Sequence, residues 1–100
     1  MRKVVLSKSA STKLSKLIDY IAMEWSDKAK NDFLQKFDKS INQIKHFPES
    51  CPESNSIKGL RKLVITKQTS LYYQFDEDNI NIVSIIDNRM NPLNIKKEIE

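Results

Sequence analysis

Three β-prone runs between residues 60 and 87, separated by short polar breaks, restrict this chain more than any other feature. The first, over 60–67, is rich in aliphatic and β-branched residues (Leu63, Val64, Ile65, Thr66). Gln68-Thr69-Ser70 interrupts it, and a second run follows over 71–76. Asp76-Glu77-Asp78-Asn79 is a polar cluster of the kind that reverses a chain, and the third run covers 80–87. Connections this short cannot carry a parallel crossover, which needs about a dozen residues or more. The runs therefore predict an antiparallel meander.

In strict alternation, Ile80, Ile82 and Ile86 share one face of the third strand, and Val83 and Ile85 share the other. A strand apolar on both sides must be covered on both, here either by the chain's own C-terminal tail or by a partner. Arg61 and Lys62 enter the first strand and Arg89 leaves the third. The hairpins put those two points at opposite sheet ends, so the arginines are not expected to be neighbours.

Upstream, the short β-prone run over 3–7 predicts a further strand, and Ser7, Ser9 and Ser11 are candidate N-caps. Leu14, Leu17, Ile18, Ile21 and Trp25 then repeat at helical spacing, with Lys13, Lys16 and Asp19 on the wet side. Ser26 can cap a second helix, in which Ala29, Phe33, Phe37, Ile41 and Ile44 form the stripe, widened by Leu34 and Phe47, until Pro48 ends it. Helices are predicted near 9–25 and 27–46, so close in sequence that they must form an antiparallel hairpin. Their joint apolar face needs a sheet to bury against, and the meander supplies one. The expected fold is one α+β domain over 1–100, a β-α-α-β-β-β chain with the helical hairpin packed on an antiparallel sheet. Trp25, Phe33, Phe37, Ile41, Leu71, Tyr73, Ile80 and Ile82 are the predicted core.

Composition narrows the function classes. With 17 Lys and Arg against 13 Asp and Glu the net charge is +4, which suits an anionic partner. A single glycine excludes a Gly-rich phosphate cradle, and the lone Cys51 excludes an internal disulfide. Cys51 has no second sulfur or nearby histidine for a zinc site or a Cys–His nucleophile, and the acidic turn 76–78 lacks the pattern of a calcium loop. No metal and no cofactor is expected. No run approaches a membrane span or a signal peptide, so a cytoplasmic location without membrane contact is expected. The one histidine, His46, falls near a helix C-terminus, where capping is the expected role. Of the adjacent Tyr72 and Tyr73, one must face away from the core. The loop 49–57 (ESCPESNSI) is long enough to carry function and also common as plain connection.

The ordered set VVLSKSASTKL, LIDYI followed by EW, FPESCPES, LRKLVI, SLYYQF and IIDNRMNP resembles the RelE/ParE-type toxins of bacterial type II toxin–antitoxin modules, closer to the ParE and plasmid-stabilisation branch. The resemblance spans nearly the whole chain. It implies a toxin neutralised by a cognate antitoxin that wraps around it, with either of two activities. ParE-like members trap DNA gyrase without cutting nucleic acid, whereas RelE-like members cut messenger RNA on the ribosome. It also implies that Arg61, Lys62, Val83, Ile85, Arg89, Asn91 and Pro92 meet the target or the antitoxin, and that Arg61, Lys62 and Arg89 would serve as cations in a ribonuclease. After Ile86, however, no His or Tyr follows to act as the acid for a leaving oxygen. That favours gyrase-type action over RNA cleavage, with a non-toxic α+β protein-binding adaptor as the alternative from another class.

Arg89 follows the two-sided strand, where a guanidinium can pair bidentately with a phosphate or carboxylate. Arg89→Ala is expected to fold normally but to lose toxicity or antitoxin affinity, with Arg89→Lys restoring only part. Growth inhibition and antitoxin capture check this, and wild-type behaviour in both removes Arg89 from the functional set.

Overall fold

The computed structural model describes residues 2–55 and 57–88. In chain order they form β1 (Lys3–Leu6), α1 (Lys8–Glu24), α2 (Asp27–His46), β2 (Arg61–Val64), β3 (Thr69–Phe75) and β4 (Asn79–Asp87). The sheet order is β1-β4-β3-β2. β2–β3 and β3–β4 pair antiparallel as the short connections require. β1 departs from the expected all-antiparallel sheet, because it joins β4 in parallel, Lys3 opposite Asn79 and Leu6 opposite Ile82. The rule that forces hairpins does not apply to β1 and β4, since the helical hairpin and two strands intervene. The sheet is therefore mixed.

Local chemistry accounts for the element ends. Ser7 is the N-cap of α1, its Oγ accepting from the Ala10 N–H at 3.0 Å, and Ser26 caps α2 through the Ala29 N–H at 3.0 Å. His46 closes α2 by donating from Nδ1 to the Asn42 carbonyl at 2.8 Å, the capping role expected of it. The Asp76 Oδ1 accepts from the Asp78 and Asn79 N–H groups, both at 2.8 Å, which shapes the β3–β4 turn. The Thr66 Oγ1 does the same for Gln68 and Thr69 in the β2–β3 turn. Thr69 itself, expected in the break, is fully buried inside β3, and its hydroxyl donates to the Asp87 carboxylate. That bond is what lets two polar residues sit in the sheet. The glycine of the chain, Gly59, has φ +88 just before β2, a conformation L side chains rarely adopt.

The main core lies between the helices and one sheet face. It gathers Ala10, Leu17 and Ile21 of α1, Phe33 and Ile44 of α2, and Leu63, Leu71, Tyr73, Ile80, Ile82 and Ile85 of the sheet. Phe37 and Ile41 pack against it from partly buried positions, and Phe37 meets Phe33 with ring centroids 6.1 Å apart. Trp25 does not belong to it. The helix ends at Glu24, so Trp25 leaves the 3.6-residue phase as the C-cap and is 63% exposed. Lys13, assigned to the wet side, is half-buried and reaches the Ser84 hydroxyl at 3.4 Å.

A register shift between Tyr72 and Tyr73 breaks the alternation of β4. Tyr72 opposes Ser84 and Tyr73 opposes Ile82, so Val83 is the extra residue of a β-bulge. Beyond it the faces exchange. Ile85 joins Ile80 and Ile82 in the helix-side core, while Ile86 turns to the outer face with Leu60 and Tyr72, against which Ile57 and Val83 pack. The expected grouping of Ile86 with Ile80, and of Ile85 with Val83, is thereby reversed for both residues. The outer cluster is buried, Leu60, Tyr72 and Ile86 each being 8% exposed. The bulge is also tethered: the Ser7 Oγ donates to the Val83 carbonyl at 2.8 Å, and the Ser7 N–H donates to the Ile82 carbonyl at 3.0 Å.

Ser7 thus caps a helix and holds the bulge with one hydroxyl. Ser7→Ala is expected to destabilise by about 1–3 kcal/mol, one cap plus one hydrogen bond. Ser26→Ala, an exposed cap alone, should cost no more than about 1 kcal/mol. Phe33→Ala should cost about 3–5 kcal/mol and Phe37→Ala less, because Phe33 is 4% exposed and Phe37 only partly buried. Chemical denaturation of the variants checks all of these.

Candidate functional site

The residues expected from sequence to meet a target or antitoxin do not form one cluster. Arg61 and Lys62 are neighbours on β2 and project to opposite faces. Arg61 opposes Tyr73 and Asp87 opposes Thr69, so the start of β2 and the end of β4 lie at opposite ends of the sheet, as expected. Val83 is half-buried at the bulge. Ile85, expected to face a partner, is 3% exposed within the helix-side core, because the bulge has turned it inward. Arg89, Asn91 and Pro92 lie outside the described residues.

Arg61 is occupied. Its Nη1 donates to the Cys51 carbonyl at 2.6 Å and to the Glu49 carbonyl at 3.4 Å, and its guanidinium lies 5.7 Å from the centroid of the Phe75 ring. Arg2 approaches the same ring at 5.4 Å while its Nε donates to the Asp76 carbonyl at 2.6 Å. Neither contact was legible in sequence, since Arg2, Arg61 and Phe75 are far apart along the chain. Beside Arg61, the Tyr73 hydroxyl donates to the Pro48 carbonyl at 2.7 Å. Burial first, and then the adjacent Cys51 thiol, push the Tyr73 phenol well above its ordinary range, against a smaller downward pull from Arg61. This group fastens the loop after α2 to the sheet.

Lys62 is different. It is exposed on the outer face opposite Tyr72, with Val64 beyond it at 59% exposure. Both line an open cleft of about 600 Å³ along β2, walled by Gln43, Ser50 and the 51–55 segment. A second hollow, about 650 Å³, lies between Arg2, Lys45 and His46 on one side and Glu77 and Asp78 on the other. Its mixed charge favours neither an anion nor a cation. Among the described residues, no group of three or more His, Cys, Asp or Glu could hold a metal ion, and no helix is long and apolar enough to cross a membrane.

The comparisons agree with this architecture. A family model described as the ParE toxin of the type II toxin–antitoxin system, parDE, matches residues 4–92. Among solved structures, the chain is similar to one from the chromosomal ParDE toxin–antitoxin system of P. aeruginosa, with TM-score 0.71 and 13% identity, covering 87% of this chain and 96% of that one. It is also similar to the YoeB dimer of Staphylococcus aureus, with TM-score 0.59 and 16% identity, over 85% and 94% of the two chains. The chain in the E. coli DinJ-YafQ complex gives TM-score 0.59 and 12% identity, over 89% and 96%. At these identities the structural likenesses show the fold alone. A comparison with curated proteins finds no match.

The β3–β4 turn makes one part of the fold's pH dependence predictable. Hydrogen bonds from the Asp78 and Asn79 N–H groups hold the Asp76 carboxyl below its ordinary range. Its stabilising contribution is therefore present above the unfolded-state value of about 4 and lost as pH falls through the lower folded-state value. Asp76→Asn, which keeps an accepting oxygen without a titrating group, should flatten that acid limb. Denaturation of both proteins between pH 2 and about 6 reads the difference.

Proposed function

Because the chain belongs to the family of ParE toxins of type II toxin–antitoxin systems, we propose that it is the toxin of such a pair, held inactive by a cognate antitoxin and directed at DNA gyrase. The structural likeness to a chain from a ParDE system, and to one from the DinJ-YafQ complex, supports an antitoxin partner. The choice of gyrase follows the ParE resemblance and the chemistry of the sheet.

The engagement of Arg61 is the observation that carries the choice. Cleavage of RNA through its 2′-OH needs a base, an acid for the leaving oxygen, and cations facing the phosphorane. The Arg61 guanidinium is held by two loop carbonyls and the Phe75 ring. Tyr73 is fully buried, already donates to Pro48, and has its proton held more tightly by burial, the wrong direction for a general acid. Tyr72 lies in the outer apolar cluster, and His46 donates to its own helix. Lys62 is the exposed cation left among the described residues expected to act in catalysis. A lone ammonium suits a protein or phosphate contact better than acid–base work at neutral pH.

The reading predicts growth arrest on expression of the chain, relieved by co-expressing a cognate antitoxin, to be sought as a short acidic protein encoded beside it. The purified chain should block DNA supercoiling by gyrase while leaving messenger RNA intact. Cut messenger RNA with normal supercoiling would favour ribosome-dependent cleavage instead. No arrest at all would favour a non-toxic binding module.

A further inference from the structure

The turn between α1 and α2 asks nothing of the Trp25 side chain. Backbone does the capping: the Trp25 and Ser26 N–H groups both donate to the Ile21 carbonyl, at 3.0 and 3.2 Å. Ser26 then starts α2 through the Ala29 N–H, and Lys28 pairs with Asp32 at 3.5 Å. Ile21 is also the last buried residue of α1, so the helix has no apolar face left to cover beyond it. Yet the chain's one tryptophan stands here, 63% exposed, with Met23 two residues before it at 83%. Two residues apart, their Cα atoms are separated by no more than about 7 Å. Among the described residues, neither side chain packs against a buried cluster, and the indole pairs with no ring or cation. Single exposed apolar residues are ordinary, but nothing in the fold accounts for these two together on one tip. Tryptophan and methionine are types enriched where proteins meet.

We propose that this tip grips the toxin's protein target, Trp25 and Met23 entering an apolar pocket whose rim carries lysine or arginine; the proposal rests on the gyrase-directed reading above. Charge selects the occupant. Residues 19–32 hold four acids, Asp19, Glu24, Asp27 and Asp32, against Lys28 and Lys30, on a chain whose net charge is +4. Lys28 is engaged by Asp32, whereas Glu24 and Asp27 flank the tryptophan at exposed positions. Such a rim repels nucleic-acid phosphates and an acidic partner, and attracts a cationic protein surface. A second copy fits poorly, because a two-fold contact would set the acidic tip against itself. The tip is also built before anything binds. The shared Ile21 carbonyl and the capped start of α2 hold its backbone, so little ordering entropy is lost on contact.

The test places fluorotryptophan at Trp25 of the full chain and follows its fluorine NMR signal with purified gyrase, with the antitoxin, and alone. In the gyrase complex the signal should become shielded from a soluble nitroxide. Trp25→Ala and Met23→Lys change exposed side chains and should fold as the unaltered chain does. Trp25→Ala should raise the concentration needed to block supercoiling about tenfold or more, and Met23→Lys and Glu24→Lys should also raise it. Antitoxin affinity should be unchanged in all three. If Trp25→Ala fails to fold, the fluorine signal of the unaltered sequence and the Glu24→Lys inhibition decide. Normal inhibition by all three variants, with the indole still open to the nitroxide in the gyrase complex, overturns the proposal and leaves the toxin reading standing. Loss of antitoxin affinity in Trp25→Ala assigns the tip to the antitoxin, and shielding that grows with the free chain's own concentration assigns it to a second copy; either overturns the proposal. An unaltered chain that leaves supercoiling intact overturns the gyrase reading, and the proposal with it.

Discussion

The hydroxyl of Ser7 organises the region that the rest of the sheet depends on. It accepts the Ala10 N–H that starts α1 and donates to the Val83 carbonyl at the bulge of β4. One side chain thereby ties the N-terminal strand, the first helix and the central strand together. With Val83 held out of register, the residues after it exchange faces. Ile85 completes the core under the helices, and Ile86 seals the outer face over Tyr72 and Leu60. A regular strand would instead leave Ile85 outside and put Ile86 against the helices.

That arrangement explains how much the sequence could tell. Helical spacing locates both helices within a residue or two; Ser26 is the expected cap of α2, and of the three candidates Ser7, Ser9 and Ser11 the structure uses Ser7. Short connections determined the meander. The bulge left no local signal, because Val83 is an ordinary strand residue and only its pairing with β3 reveals the shift. The face assignments of Ile85 and Ile86 failed for that reason. Trp25 failed through a boundary effect, since helical phase stops applying at the cap. Thr69 reads as a break in the sequence because its partner, Asp87, is eighteen residues away. Arg61 was visible as a candidate cation, but its binding to the Glu49 and Cys51 carbonyls depends on where the loop lands.

Among the described residues of the candidate site, most polar groups already have partners within the chain. The outer apolar cluster is already covered, the arginine of β2 is engaged, and the buried Tyr73 hydroxyl donates to the Pro48 carbonyl. What stays accessible is backbone and side chain along one strand edge, with Lys62 and Val64 exposed. Membership of the ParE toxin family and this distribution of occupied and open groups are the observations on which the proposed contact with another protein rests.

The bulge in β4 can be seen in solution by NMR of methyl-labelled protein. Nuclear Overhauser contacts from the Ile85 methyls should reach Leu71 and the α1 side chains, while those of Ile86 should reach the Tyr72 ring and Leu60. The reverse pattern, Ile85 against Tyr72 and Ile86 against Leu71, would mean a regular β4 without a bulge at Val83.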